Sequence, residues 1–150
     1  MSGGTQQSTG AVEINRITGK VIDCAIEIHR ALGPGLLESV YEAILERKLI
    51  RCGLVVERQI SVPICYEGMT FDEGFRVDLI ISRLVCLELK SVENLAPVHS
   101  KQLLTYLKLL NLEVGLLINF GAPTLKEGLH RIVNNFHETP SSSPRLRASA

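Results

Sequence analysis

The chain has 150 residues with 16 basic side chains against 16 acidic ones, so no global basic field draws it toward nucleic acid. That length suits one domain burying roughly two-thirds of its unfolded surface, without room for a separate nucleic-acid-reading module. Its four cysteines, Cys24, Cys52, Cys65 and Cys86, lack CxxC spacing and lie in apolar stretches. They read as small buried hydrophobes in a reduced, cytoplasmic protein rather than as zinc ligands or a disulfide framework.

Residues 1–12 are mostly Gly, Ser, Thr and Gln, a composition that predicts a disordered arm without an apolar run of signal-peptide length, and nowhere is there a charge-free stretch of membrane-spanning length. From 14 to 32 the residues Ile17, Val21, Ala25, Ile28 and Leu32 recur at spacings of three and four, predicting an amphipathic helix that Gly33-Pro34-Gly35 ends. A second helix is expected over 36–51, with Leu37, Val40, Tyr41, Ile44, Leu45 and Leu49 inward and Cys52-Gly53 closing it. Glu38 stands in its first turn. It either complements the helix N-terminus or belongs to a site, with Tyr41 and Glu42 one turn above it.

Two β-rich runs, 54–60 and 62–66, follow, and Pro63 places them toward a sheet edge. After the turn at Glu67-Gly68 comes a short run at 69–71. Residues 76–90, RVDLIISRLVCLELK, then read as two adjacent strands. The second has the continuous apolar look of a strand covered on both faces, yet ends in Glu88 and Lys90. Alternation puts those two on one face and Leu87 and Leu89 on the other. Beyond a turn at 94–97, residues 98–111 predict an apolar helix on which His99, Gln102 and Tyr106 share a face. Gln102 and Tyr106 are equally compatible with hydrogen-bonded residues of a packed helix. Residues 113–120 predict another buried strand. Residues 124–136 predict a last helix, with Thr124 as N-cap and Leu125, Leu129, Ile132 and Val133 inward. The Ser/Pro-rich stretch 138–150 reads as a disordered tail, which leaves residues 13–137 as the domain.

Asp78, Glu88 and Lys90 can converge at one sheet end. Two carboxylates there suit a hard divalent cation such as Mg²⁺ or Mn²⁺, and a neighbouring ammonium can orient a water or stabilise developing charge. An ion pair at a strand terminus accounts for the same residues. The hairpin discriminates between the two. A two-residue loop at Ser82-Arg83 would pair Asp78 with Leu87 and set the carboxylates on opposite faces, whereas a three-residue loop or a bulge brings them together.

Val77-Asp78 with Glu88-Leu89-Lys90 resembles the core signature of the PD-(D/E)XK nuclease superfamily, with Val77 in place of its Pro. GLLESVY, from Gly35 to Tyr41, resembles the motif that names the GxxExxY family within it, and HSKQLLTY resembles the QxxxY element of its RecB-like and Cas4-like branches. The resemblance covers residues 14–136 in four separated elements in the right order. It implies an α/β restriction-endonuclease-like core, a mixed sheet of about four or five strands flanked by helices. It also implies a Mg²⁺- or Mn²⁺-dependent nuclease that hydrolyses phosphodiesters of DNA or RNA. Asp78, Glu88 and the Leu89 carbonyl would bind the metal, with Glu38 completing or supporting the site. Lys90 would position the water, and Gln102, Tyr106 and His99 would contact substrate or support the site. The alternative is a catalytically silent module that binds nucleic acid or a partner protein, including a second copy of the chain. Arg47, Lys48, Arg51, Arg58, Lys101 and Lys108 form the candidate nucleic-acid patch, and a solvated helix surface explains them equally.

Overall fold

A computed structural model describes residues 2–134 and the side chains from residue 10 onward. Helix α1 (Ser2–Leu32) takes in the stretch that composition assigns to an arm, and its first core residue is Ile14. Four of the five expected stripe residues, Ile17, Val21, Ala25 and Ile28, are buried, whereas Leu32 at the helix end is exposed. Gly33, at a φ of 69°, closes the helix by donating its N–H to the His29 carbonyl over 2.8 Å. Helix α2 (Glu38–Arg51) then begins at Glu38 itself, with Leu37 extended before it. Tyr41, Leu45 and Leu49 are buried against α1 and the sheet.

Five strands form one mixed sheet in the order β1 (Val56–Tyr66), β2 (Met69–Ile81), β3 (Val85–Lys90), β4 (Val114–Asn119) and β5 (Leu129–Val133). Only β3 and β4 run parallel, joined by helix α3 (Pro97–Leu110); the other pairs are antiparallel. Helices α1 and α2 cover Leu79, Ile81, Leu87, Leu89, Leu116 and Ile118. On the other face Leu103, Tyr106 and Leu107 of α3 pack on Ile80, Cys86 and Leu117. Double coverage explains why β3 and β4 carry continuous apolar runs. This is the α/β architecture expected from the order of elements.

Several expectations change. The runs 54–60 and 62–66 make one strand whose register slips between Val62 and Ile64, where Pro63 has no N–H to give; β1 is an edge strand, as that Pro requires. The run 69–71 likewise continues into β2. The helix expected over 124–136 is a single turn, α4 (Leu125–Gly128), followed by strand β5. Thr124 does cap it, its hydroxyl accepting the Glu127 N–H at 3.3 Å. A Cβ at Gly128 would overlap the Asn119 carbonyl oxygen, so the chain turns back tightly there and pairs Ile118 with Leu129. The open edge of β4 thereby gains hydrogen bonds that a helix could not offer. Phe136 and the tail at 138–150 lie outside the described residues. Finally, Cys24 and Cys86 are buried as expected, but Cys52 and Cys65 are exposed. Cys52 caps the C-terminus of α2, and Cys65 sits near the outer end of the β1–β2 hairpin.

Candidate active site

The geometry starts in the loop between β2 and β3. Ser82 and Arg83 both take positive φ, 52° and 56°, and Leu84 donates its N–H to the Ile81 carbonyl at 2.9 Å. Leu84 is then one extra residue, so Ile81 pairs with Val85 and the loop has three residues, 82–84. That odd loop is the one the chemistry demands. The ladder runs Ile81 to Val85, Ile80 to Cys86 and Leu79 to Leu87; one step further, Asp78 faces Glu88.

At that step side chains replace the main-chain ladder. The Asp78 N–H donates to Glu88 Oε1 at 3.2 Å, and the Leu89 N–H donates to Asp78 Oδ2 at 2.8 Å. Each strand thus lends a backbone donor to the other strand's carboxylate. Glu88 is 8 % exposed. Burial pushes its carboxyl up to about 8, and the charge of Asp78 adds to the effect against the opposing Asp78 N–H and Lys90. Asp78 is pushed up to about 6, again mainly by burial; the Leu89 N–H and Lys90 oppose this, while Glu42 and Glu38 reinforce it. A positive charge placed between the two would lower the cost of ionising both. Lys90, half-buried beside them, makes no ion pair with either.

A family model described as the PD-(D/E)XK nuclease superfamily matches residues 15–132, from α1 through β5. The chain belongs to the PD-(D/E)XK nuclease superfamily. No curated protein and no solved structure matches it.

In this PD-(D/E)XK domain Asp78 and Glu88 are in contact, and Lys90, Glu38 and Tyr106 lie within their electrostatic reach. Tyr106 is 7 % exposed, tilts against Phe75 at 4.9 Å between ring centroids, and has its hydroxyl pushed up to about 12, chiefly by burial and then by Glu88 and Asp78. Glu38 is exposed, and among the described residues no three acidic, His or Cys side chains close into a ready-made metal cage. Gln102 is exposed on α3 without a side-chain hydrogen bond among the described residues. His99 serves the start of α3, its Nδ1 accepting the Ala96 N–H at 3.1 Å.

The supporting roles of Tyr41 and Asn119 escaped the sequence reading. Tyr41 donates its hydroxyl to the Gly33 carbonyl, accepts the Leu36 N–H at 3.2 Å and stacks on Phe120 at 4.4 Å. It therefore fixes the turn that delivers Glu38. Asn119, opposite Lys90 in the β3–β4 register, accepts the Val92 and Gly121 N–H groups at 3.0 Å each and donates to the Val92 carbonyl at 2.8 Å. It clamps the chain leaving Lys90. The basic patch is also smaller than expected. Arg58 pairs with Glu42 at 2.7 Å and with Glu46 at 3.5 Å, and Lys48 pairs with Glu27 at 2.6 Å. Arg47, Arg51, Lys101 and Lys108 are exposed.

The raised Glu88 carboxyl carries a stability consequence. A folded-state value near 8 against an ordinary glutamate value of 4.5 favours the folded state below about pH 4.5, and that contribution is lost as pH rises through 8. Glu88→Gln removes the ionisation. The metal-free variant should therefore be more stable than the parent at pH 9, by on the order of 2 kcal/mol, and should lose that advantage at pH 5. Urea unfolding in EDTA at the two pH values measures the difference.

Proposed function

We propose that the protein is a nuclease of the GxxExxY kind that hydrolyses phosphodiesters of DNA or RNA with Mg²⁺ or Mn²⁺. The observation that carries this reading is the reciprocal bonding of Asp78 and Glu88, two acids held in contact, with raised pKa values, beside Lys90. An anionic pair that is costly to ionise alone suits a dication, which it binds with release of protons. Asp78, Glu88 and the Leu89 carbonyl would hold the ion, and Glu38 would support it from the first turn of α2. When bound, the ion supplies a Lewis acid for the phosphoryl oxygen. Lys90 would orient the attacking water and meet developing negative charge. Tyr106, with its proton retained well above neutral pH, would donate a hydrogen bond to a phosphate oxygen or to Glu88. Gln102 would reach the substrate from the exposed face of α3, and His99 would support the site by fixing the start of that helix.

Purified protein incubated with single- and double-stranded DNA and RNA is expected to cleave at least one of them with Mg²⁺ or Mn²⁺ and none with EDTA. Cleavage that persists in EDTA, or no cleavage of any substrate with either metal, would overturn the proposal. Metal binding without cleavage would favour the silent nucleic-acid- or partner-binding module.

A further inference from the structure

The sheet is interrupted on both sides of Asp78. Toward β3 the ladder ends at Leu79 opposite Leu87. Toward β1 it pairs Arg58 with Leu79 and Ile60 with Val77 but omits the step between, where Gln59 would face Asp78. Gln59 has a φ of 55°, a left-handed conformation that an ordinary strand residue avoids and that persists only where its surroundings enforce it.

A side chain from α2 meets this step. Glu42, 5 % exposed on α2, accepts Gln59 Nε2 on Oε1 at 2.7 Å and Arg58 Nε on Oε2 at 2.7 Å. One buried carboxylate therefore grips two consecutive residues of β1, the second of them left-handed. Both of its oxygens are occupied, so its part is to hold protein rather than substrate. It lies one helical turn from Glu38, and α2 thus sets the first-turn acid and this grip in one rigid element.

Resting on the reading of Asp78 and Glu88 as a metal site, we propose that Glu42 is a positioning residue: by holding Arg58 and the left-handed Gln59 it fixes the β1 backbone beside Asp78. Asp78, whose N–H points to β3, is thereby held with that N–H on Glu88 and its carboxylate on the Leu89 N–H, where the carboxylate would meet a divalent cation. Without the grip, Gln59 relaxes to a strand conformation and the β1 backbone shifts against Asp78, loosening its bonds to Glu88 and Leu89.

The test uses full-length protein and Mn²⁺ titration monitored by electron paramagnetic resonance. Glu42→Ala and Gln59→Val, the latter β-branched and averse to positive φ, should each weaken Mn²⁺ binding by about tenfold or more. Gln59→Gly, which accepts that φ freely, should stay within about threefold of the parent. Equal affinity in Glu42→Ala and the parent, or equal loss in Gln59→Gly and Gln59→Val, would overturn the proposal. Hydrogen exchange at the Asp78 amide gives a metal-independent readout. Its protection should fall in Gln59→Val while that of Ile80 and Ile81 holds, and unchanged protection would count against the role of Glu42. A parent protein that binds no Mn²⁺ would defeat the metal reading alone, and the amide measurement would still decide this one.

Discussion

Asp78→Asn and Lys90→Ala should each lower metal-dependent cleavage by about a hundredfold to a thousandfold or more, while both variants unfold cooperatively like the parent. Asparagine keeps an oxygen able to accept the Leu89 N–H, so the strand geometry survives, but the negative charge needed to hold a dication is gone. Lys90 ends β3, half-buried and without an ion pair to the carboxylates, so its removal leaves no buried partner stranded. The two variants should differ in a second property. Asp78→Asn is expected to lose metal affinity along with turnover, whereas Lys90→Ala should still bind metal and fail in the chemical step. Single-turnover cleavage combined with metal titration separates them, and activity retained in both would remove these residues from the mechanism.

Gly121→Ala is expected to be among the most damaging single-methyl changes in the chain. A Cβ there would overlap the Val92 carbonyl oxygen and fall 2.7 Å from the Val92 nitrogen, both of them main-chain atoms already bonded to Asn119. Rigid backbone cannot yield as a side-chain tip does, so a loss of about 3 kcal/mol is expected, at the upper end for overpacking. Because the Phe120 N–H also bonds the Lys90 carbonyl at 2.8 Å, the disturbance should reach the end of β3. Thermal unfolding should show the loss, and a melting temperature within a degree or so of the parent would contradict this packing.

The parts of the fold legible in the sequence are those with local causes. The stripe of Ile17, Val21, Ala25 and Ile28 follows from helical period, and the burial of β3 follows from an apolar run that alternation cannot explain. The three-residue loop was legible for a different reason: only an odd loop puts Asp78 and Glu88 on one face, so the chemistry dictated the turn. What escaped has long-range causes. Leu129, Ile132 and Val133 fit a helix as well as a strand, and the open edge of β4 decides between them. Arg58 reads as a solvated cation until its partner, Glu42, arrives from a different element. Glu42 itself sat in view, next to Tyr41 and one turn from Glu38. Its burial, rather than its identity, sets it apart from a surface acid.

The measurement that bears most directly on the site is calorimetric titration of Mn²⁺ into the parent and into Glu88→Gln, at pH 6 and pH 8, in buffers of different ionisation enthalpy. The parent should bind one ion per chain, more tightly at pH 8 than at pH 6. Because burial pushes Glu88 up to about 8 and Asp78 up to about 6, binding should release protons, and Glu88→Gln should lose both the affinity and most of the proton release. A parent that takes up no Mn²⁺ at pH 8, or a Glu88→Gln variant that binds it as tightly, would contradict a cation site shared by Asp78 and Glu88.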